Sequence, residues 1–331
     1  MKNHYLLCLF LFSFFSLHQT IAQNDAANVL TDILFILDGF NDPAAEASVM
    51  QTGAGWFHTA KSLDKFKATV SLGISGLPFP ANKKNFTVSN SDFINLDIRD
   101  GDQASIPTIL GGRGRTFFDF DIEGATYEFQ AFSGLNSDFF ALPYVQGQIG
   151  LWQETEVTLR VVPQVTIGKS SYAVYGIGLK HNLSQYLFKE KRNVDIALYT
   201  NYNLTDLNLK YDEPLDLEPS DGSAPLAIID GSLIDFHSIN AGIVASKDID
   251  KWTFSTALNY NTSWVDYSIT GERGTFFDLF NNVLTTLSDT QHSFKADLGV
   301  AYQLAPKWNL NTQLSAGQFV NLNISGVYNI N

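Results

Sequence analysis

The segment 155–167 constrains this chain more than any other. Val157, Leu159, Val161, Val165 and Ile167 share one face with Pro163, while Glu156, Thr158, Arg160, Gln164 and Thr166 take the other. A period of two belongs to a β-strand, whose successive side chains point to opposite faces. The charges stand in mid-strand, opposite an aliphatic face. A charged residue turned toward mid-bilayer lipid costs roughly 2–4 kcal/mol, so a membrane strand with this pattern keeps its charges on the side of a polar lumen. The same alternation recurs. Asp195 opposes Val194 and Ile196, and Lys295 and Asp297 oppose Phe294, Ala296 and Leu298. Glu156, Arg160, Asp195, Lys295 and Asp297 are therefore the predicted lumen charges. Opposite charges in a small lumen are expected to pair, Arg160 with a carboxylate such as Glu156.

Strand ends supply the second constraint. Phe294 and Tyr302 are eight residues apart, and Trp252 and Tyr260 repeat the spacing. On a strand tilted near 40° that is roughly 20 Å along a barrel axis, which fits two aromatic girdles. A sandwich has no reason to place aromatics at both ends of long strands. The pattern predicts an all-β, transmembrane, up-and-down antiparallel barrel of about 12 strands, within a range of 10–14. They are read at 66–79, 115–122, 125–132, 142–152, 154–167, 172–180, 194–204, 235–247, 252–270, 292–304, 308–317 and 319–330. Short connections then fall on the periplasmic side, and the long ones, 80–114, 211–234 and 271–291, fall outside. The loop 211–234 is acidic, with Asp212, Glu213, Asp216, Glu218, Asp221 and Asp230, and is expected to be solvated at the cell surface.

The N-terminus predicts export. Lys2 precedes an apolar run from Tyr5 to Leu17, and Thr20-Ile21-Ala22 has the small-residue character of a signal-peptidase site. The expected division is a signal peptide at 1–22 cleaved near Ala22, a helix and plug at 23–65, and the barrel at 66–331. In the plug, Val29, Ile33, Leu37 and Phe40 share one helical face, and Gly39 is the expected stop. The expected location is the bacterial outer membrane, with membrane lipid as a partner and the barrel-insertion machinery as another during biogenesis. Tyr328 is the aromatic nearest the C-terminus.

Composition excludes several chemistries. The single cysteine, Cys8, lies in the apolar run, so the mature chain holds no disulfide. Without Lys2 the balance is 20 − 34 = −14, a poor match for nucleic acid. The mature histidines, His58, His181, His237 and His292, show no metal-ligand spacing. His237-Ser238 and His292-Ser293 place neighbouring side chains on opposite faces, so neither pair makes a nucleophile and base by itself. No cofactor, metal or enzymatic activity is expected. One external segment, 275–289, has apolar residues at helical spacing. Phe276, Phe277, Phe280, Leu284 and Leu287 could either close the mouth or hold an apolar ligand there.

Several short motifs resemble a family of uncharacterised outer-membrane barrels found in Bacteroidota, themselves distantly similar to FadL-type long-chain fatty-acid transporters. They are Gly55-Trp56-Phe57-His58-Thr59-Ala60-Lys61, Leu142-Pro143 with Gln146, Glu154-Thr155 with Arg160 and Pro163, and Tyr175-Gly176-Ile177-Gly178-Leu179-Lys180-His181 followed by Ser184-Gln185-Tyr186. Asp42-Pro43-Ala44 only loosely resembles the Asn-Pro-Ala hatch of FadL-like proteins. The resemblance implies a barrel with an N-terminal plug and uptake of small hydrophobic molecules. The competing reading is a structural or surface-interaction barrel with a sealed lumen. A lipid-modifying enzyme is a distant third. An apolar cavity reaching a gap in the wall would favour transport; a lumen filled with ion pairs would favour the sealed barrel.

Overall fold

The computed structural model describes residues 4–122, 124–188, 193–217, 227–272, 277–284 and 290–330. At 4–24, 26, 167, 211–213, 215–217, 227, 279, 280, 283 and 284 it describes the backbone alone. Helix α1 (His4–Thr52) is followed by β1 (Ala68–Pro78). A cap comes next, made of β2 (Asn85–Ser89), β3 (Asp97–Ile98), β4 (Gln103–Pro107), β5 (Phe117–Ile122) and β6 (Ala125–Gln130). The chain then forms β7 (Phe139–Gly150), β8 (Thr155–Ile167), β9 (Ser170–Asn182), α2 (Ser184–Leu187) and β10 (Asp195–Leu217). It ends with β11 (Ala227–Ile249), β12 (Trp252–Glu272), α3 (Phe277–Leu284), β13 (Gln291–Ala305), β14 (Trp308–Ala316) and β15 (Val320–Asn329).

Ten strands close an antiparallel barrel in the order β1-β15-β14-β13-β12-β11-β10-β9-β8-β7, with β7 returning to β1. The count is ten rather than about twelve, because 115–122 and 125–132 are not wall. They form β5 and β6 of a three-stranded sheet with β3, beside a two-stranded sheet of β2 and β4. Each of β5 and β6 has six residues, whereas a tilted strand needs about 9–11 to cross a bilayer. Their length was the discriminating signal. Following cross-strand partners once around the wall carries Trp264 back to Trp252 on the same strand, a stagger of 264 − 252 = 12 residues. Such a stagger accompanies the tilt of roughly 35–45° that lets a sheet close.

Strand faces divide as alternation requires. Leu72, Leu159, Ile177, Leu198, Leu258 and Leu298 are exposed on the outer face, while Ser71, Gln146, Asn201, Asn240, Asn261 and Asn323 are buried inside. Aromatics flank the apolar belt. Near the rim of short turns Trp252 packs on Tyr302 and Trp308 on Tyr328, with centroids 4.5 and 5.0 Å apart. Toward the other rim Tyr260 packs on Phe294 at 5.3 Å, and His237 stacks on Trp264 at 5.1 Å. That second rim is taller, because β10 and β11 each run for 23 residues and β12 for 21. Much of 211–234, expected as a loop, continues the β10–β11 ladder past a bulge between Lys210 and Leu215. Residues 218–226 lie outside the described residues.

Helix α1 enters the barrel from the tall rim. Its Val29, Leu30, Ile33, Leu34 and Ile36 form a buried core with Val88, Leu96, Ile98, Ile106, Phe118 and Phe129 of the cap. The buried Asp32 carboxylate accepts the backbone N–H groups of Ile94, Asn95 and Leu96 at 2.7–3.0 Å, tying the cap to the helix. The expected stop at Gly39 does not occur, since α1 continues past Gly39 and Pro43 to Thr52. Gly39 instead permits a close approach. A Cβ there would stand 2.6 Å from the Phe86 ring, so glycine is required by packing rather than by a turn. No described helix is long and apolar enough to cross a membrane.

Replacing residues 115–132 with a short Gly-Ser linker should remove cap packing but leave all ten wall strands. The shortened protein should still show heat-modifiable migration on a gel. Failure to yield any folded band would mean that β5 and β6 contribute to closure.

Candidate functional site

The end of a helix leaves its last carbonyls without intrahelical partners. At the end of α1 these lie inside the lumen, and basic side chains of the wall reach them. Arg160 Nη1 donates to Thr52 O at 3.1 Å and to Ala54 O at 2.7 Å, and Lys295 Nζ donates to Gly53 O at 2.7 Å. Cations also complement the negative end of the helix dipole. Further along, Lys180 Nζ donates to Thr59 O at 3.1 Å and Lys61 O at 2.8 Å. Three buried wall cations thus hold one backbone segment.

All five predicted lumen charges face inward and are buried. Their partners differ from expectation in one respect. Glu156 pairs with Lys180 at 3.3 Å and accepts Leu63 N at 3.2 Å, while no ion pair joins Glu156 to Arg160. Four residues along a strand separate their Cα atoms by roughly 13 Å, and the helix end is nearer to Arg160. Arg160 also donates Nε and Nη2 to Gln146 Oε1 at 3.0 and 2.8 Å. Its guanidinium lies between the rings of Trp56 and Tyr144, at 4.4 and 4.1 Å from their centroids. Lys295 pairs with Asp297 at 3.3 Å, and Asp297 accepts Asn259 Nδ2 at 2.8 Å. Asp195 accepts Asn182 Nδ2, which also donates to Ala60 O on the plug.

Sequence reasoning missed Lys180, although its parity with Gly176 and Gly178 would have placed it inside. Those glycines have a specific use. A Cβ on Gly176 or Gly178 would stand 2.7 or 2.9 Å from the Trp56 indole, so the paired glycines form the groove in which the plug tryptophan lies. Among the described residues no three His, Cys, Asp or Glu side chains converge to hold a metal ion. His237 lies with Tyr202 and Trp264, 2.7 Å from the Tyr202 hydroxyl, while Ser238 is buried on the other face.

Beside α1, toward the tall rim, lies a cavity of about 390 Å³. Ala44, Ala47, Ser48 and Gln51 of α1 form one side; Phe140, Leu142, Tyr172, Val174, Leu207 and Leu209 of the wall form the other. Ile109, Leu110 and Leu135 from the cap segment complete it. Among the described residues no charged side chain lines it. A polar recess of about 620 Å³ at the short rim, bounded by Lys61, Asp64, Glu154 and Asp195, is separate from it.

The wall beside the cavity is incompletely zipped. β7 and β8 pair only from Gly150↔Glu156 to Val145↔Val161, although both strands continue toward the tall rim. Two residues beyond the last pair the register would set Pro143 against Pro163. Neither has an N–H, so a ladder cannot continue through that pair in the usual way. Beyond it β7 pairs with β1 and β8 with β9, after a bulge between Val162 and Val165. The bulge reverses the expected phase, and Val165 packs toward buried Leu142, Val162 and Tyr172. The seam begins level with Tyr175, an exposed aromatic that pairs with Val161.

Of the five residues expected at the outer mouth, Phe277 is 5% exposed and packs in the core shared by α1 and the cap. Phe276 and Leu287 lie outside the described residues, and Phe280 and Leu284 are described by backbone alone.

Arg160→Ala should leave the Ala54 carbonyl buried and unpaired, at about 1–3 kcal/mol, while Thr52 O keeps the Trp56 Nε1 donor at 2.7 Å. Combined with Lys295→Ala, it should release the helix end while the closed wall persists. Planar-bilayer recordings should then show frequent ion-conducting openings that the parent protein lacks. A double variant that folds and stays as closed as its parent would contradict the proposed role of these contacts.

No curated protein sequence matches the chain. Among solved structures, the translocator domain of the autotransporter NalP from Neisseria meningitidis is similar with a TM-score of 0.34 and 9% identity, covering 88% of this chain and 99% of that one. A Pseudomonas aeruginosa FadL homologue matches with a TM-score of 0.31 and 14% identity, covering 81% and 67%. Ail, the attachment invasion locus protein of Yersinia pestis, matches with a TM-score of 0.24 and 8% identity, covering 80% and 99%. Scores and identities this low carry no function across. The family is shown by sequence: residues 1–330 match DUF6588, a family of unknown function, and the chain belongs to it.

Proposed function

We propose that this chain is an outer-membrane barrel that passes small hydrophobic molecules between its tall rim and the membrane. In this reading the tall rim faces outside, since barrels of this class have short periplasmic turns and longer outer loops. The exposed apolar belt faces lipid, and residues 1–22 act as a signal peptide cleaved near Ala22. The barrel-insertion machinery is a partner during biogenesis. The observation that carries the reading is the pairing of an uncharged, largely apolar cavity with an unzipped seam in the wall beside it. A cavity of this size lies within the usual range for small-molecule sites. The closed centre of the lumen leaves the seam as the direct route from cavity to bilayer, while α1 separates the cavity from the polar wall opposite.

The sealed-barrel reading is favoured by one observation, the hold of Arg160, Lys180 and Lys295 on the plug. The two readings differ at the seam, which a sealed barrel does not use. Capture at the outer mouth by Phe276, Phe277, Phe280, Leu284 and Leu287 belongs to the transport proposal. The burial of Phe277 makes closure of the mouth the simpler role for α3.

Replacing both Pro143 and Pro163 with threonine restores two N–H groups and should allow β7 and β8 to zip further. Transfer of the uncharged probe N-phenyl-1-naphthylamine through the protein should slow about tenfold, equivalent to roughly 1.4 kcal/mol on the barrier. An unchanged transfer rate in a folded double variant would remove the seam from the path and favour the sealed barrel.

A further inference from the structure

We infer that the cavity beside α1 takes a neutral single-chain amphiphile, an alcohol rather than the corresponding carboxylate; this rests on the transport reading above. Among the described residues the cavity wall carries no arginine, lysine or histidine, so a carboxylate entering it would give up water without a cationic partner there. Lys169, next in sequence to the lining residue Ser170, already has a partner of its own. The lumen cations are committed elsewhere, to the plug carbonyls and to Glu156 and Asp297.

The polar atoms that do line the cavity suit one hydroxyl group. Ser171 Oγ accepts Gln164 Nε2 and Ser170 Oγ accepts Lys210 N, whereas Gln51 Nε2 donates to Ser75 O and Phe140 O. Ser48 Oγ and Thr205 Oγ1 form a long contact of 3.4 Å across the gap between helix and wall. A hydroxyl can both donate and accept, so an alcohol can join this pair without leaving a charge unpaired. The lining hydroxyls of Thr52 and Ser137 donate to Ser48 O and Phe139 O, and the apolar lining, Leu207, Leu209 and Val174 among it, takes an alkyl chain.

The test is displacement of N-phenyl-1-naphthylamine from the full-length protein in amphipol at pH 8, where a carboxylic acid is ionised. 1-Dodecanol should displace the probe at a concentration at least about tenfold lower than dodecanoate, given the desolvation cost of an unpaired carboxylate. Thr205→Val, nearly the same shape, should weaken dodecanol severalfold more than it changes binding of the probe. Ser48→Lys, if its heat-modifiable migration shows a folded barrel, should narrow or reverse the preference. The comparison in the parent protein decides the question even if that variant does not fold. Equal displacement, or tighter dodecanoate, would overturn the neutral-cargo inference and leave the transport reading standing. If the probe itself fails to bind, both the inference and the cavity's role in transport fall.

Discussion

The carbonyls of Thr52, Gly53 and Ala54 end a helix inside a closed wall, where no further helical N–H is available. A buried carbonyl left unpaired costs about 1–3 kcal/mol; the wall supplies Arg160 and Lys295 to these three, and the plug's own Trp56 Nε1 also donates to Thr52 O at 2.7 Å. The exchange works in both directions. A guanidinium buried without a carboxylate is also costly, and Arg160 is offset here by two carbonyls, the Gln146 amide oxygen and two aromatic faces. Neither the helix end nor the cations could be buried alone. Their meeting fixes how far α1 reaches into the barrel, and with it the positions of Trp56 in its glycine groove and Lys180 on the following segment.

That placement divides the lumen. On the side of β10–β15 the wall is rich in amides: Asn201, Asn240 and Asn261 form a directly paired row across three strands. On the side of β7, β9 and β10, nearer the tall rim, the wall is apolar and stands off from the helix, leaving the cavity. The small side chains of Ala44, Ala47 and Ser48 on this stretch of α1 keep that space open. The prolines that interrupt the β7–β8 ladder lie on the same side. Cavity and seam therefore follow from one feature, the asymmetry of what surrounds a helix held firmly at its lower end.

The wall was largely legible in the sequence because alternation is a local signal. Residues 155–167, 194–204 and 292–304 announced both their conformation and the direction of their charges. What failed depended on contacts distant in the chain. Phe118, Phe120 and Phe129 alternate like wall residues, yet their apolar side meets α1 and the cap, which local pattern does not show. Gly39 and Pro43 are ordinary helix-ending signals that packing overrode. The seam was hidden for a sharper reason: Pro143 and Pro163 are unremarkable one at a time, and only the register sets one opposite the other. Arg160 could be assigned to the lumen by parity, but its partners are backbone carbonyls, which carry no residue signature.

The most direct measurement is a disulfide between the helix and the wall. Ser48 Oγ of α1 lies 3.4 Å from Thr205 Oγ1 of β10, which places the α1 interior against the wall. The sole native cysteine, Cys8, lies before the expected cleavage point, so Ser48→Cys with Thr205→Cys would add an unambiguous pair. If α1 occupies the lumen as described, the pair should oxidise readily in the folded protein and give a band whose migration shifts on reduction. Each single variant should show no such band. Two free, alkylatable thiols in a folded, oxidised double variant would mean that the helix does not sit inside the barrel.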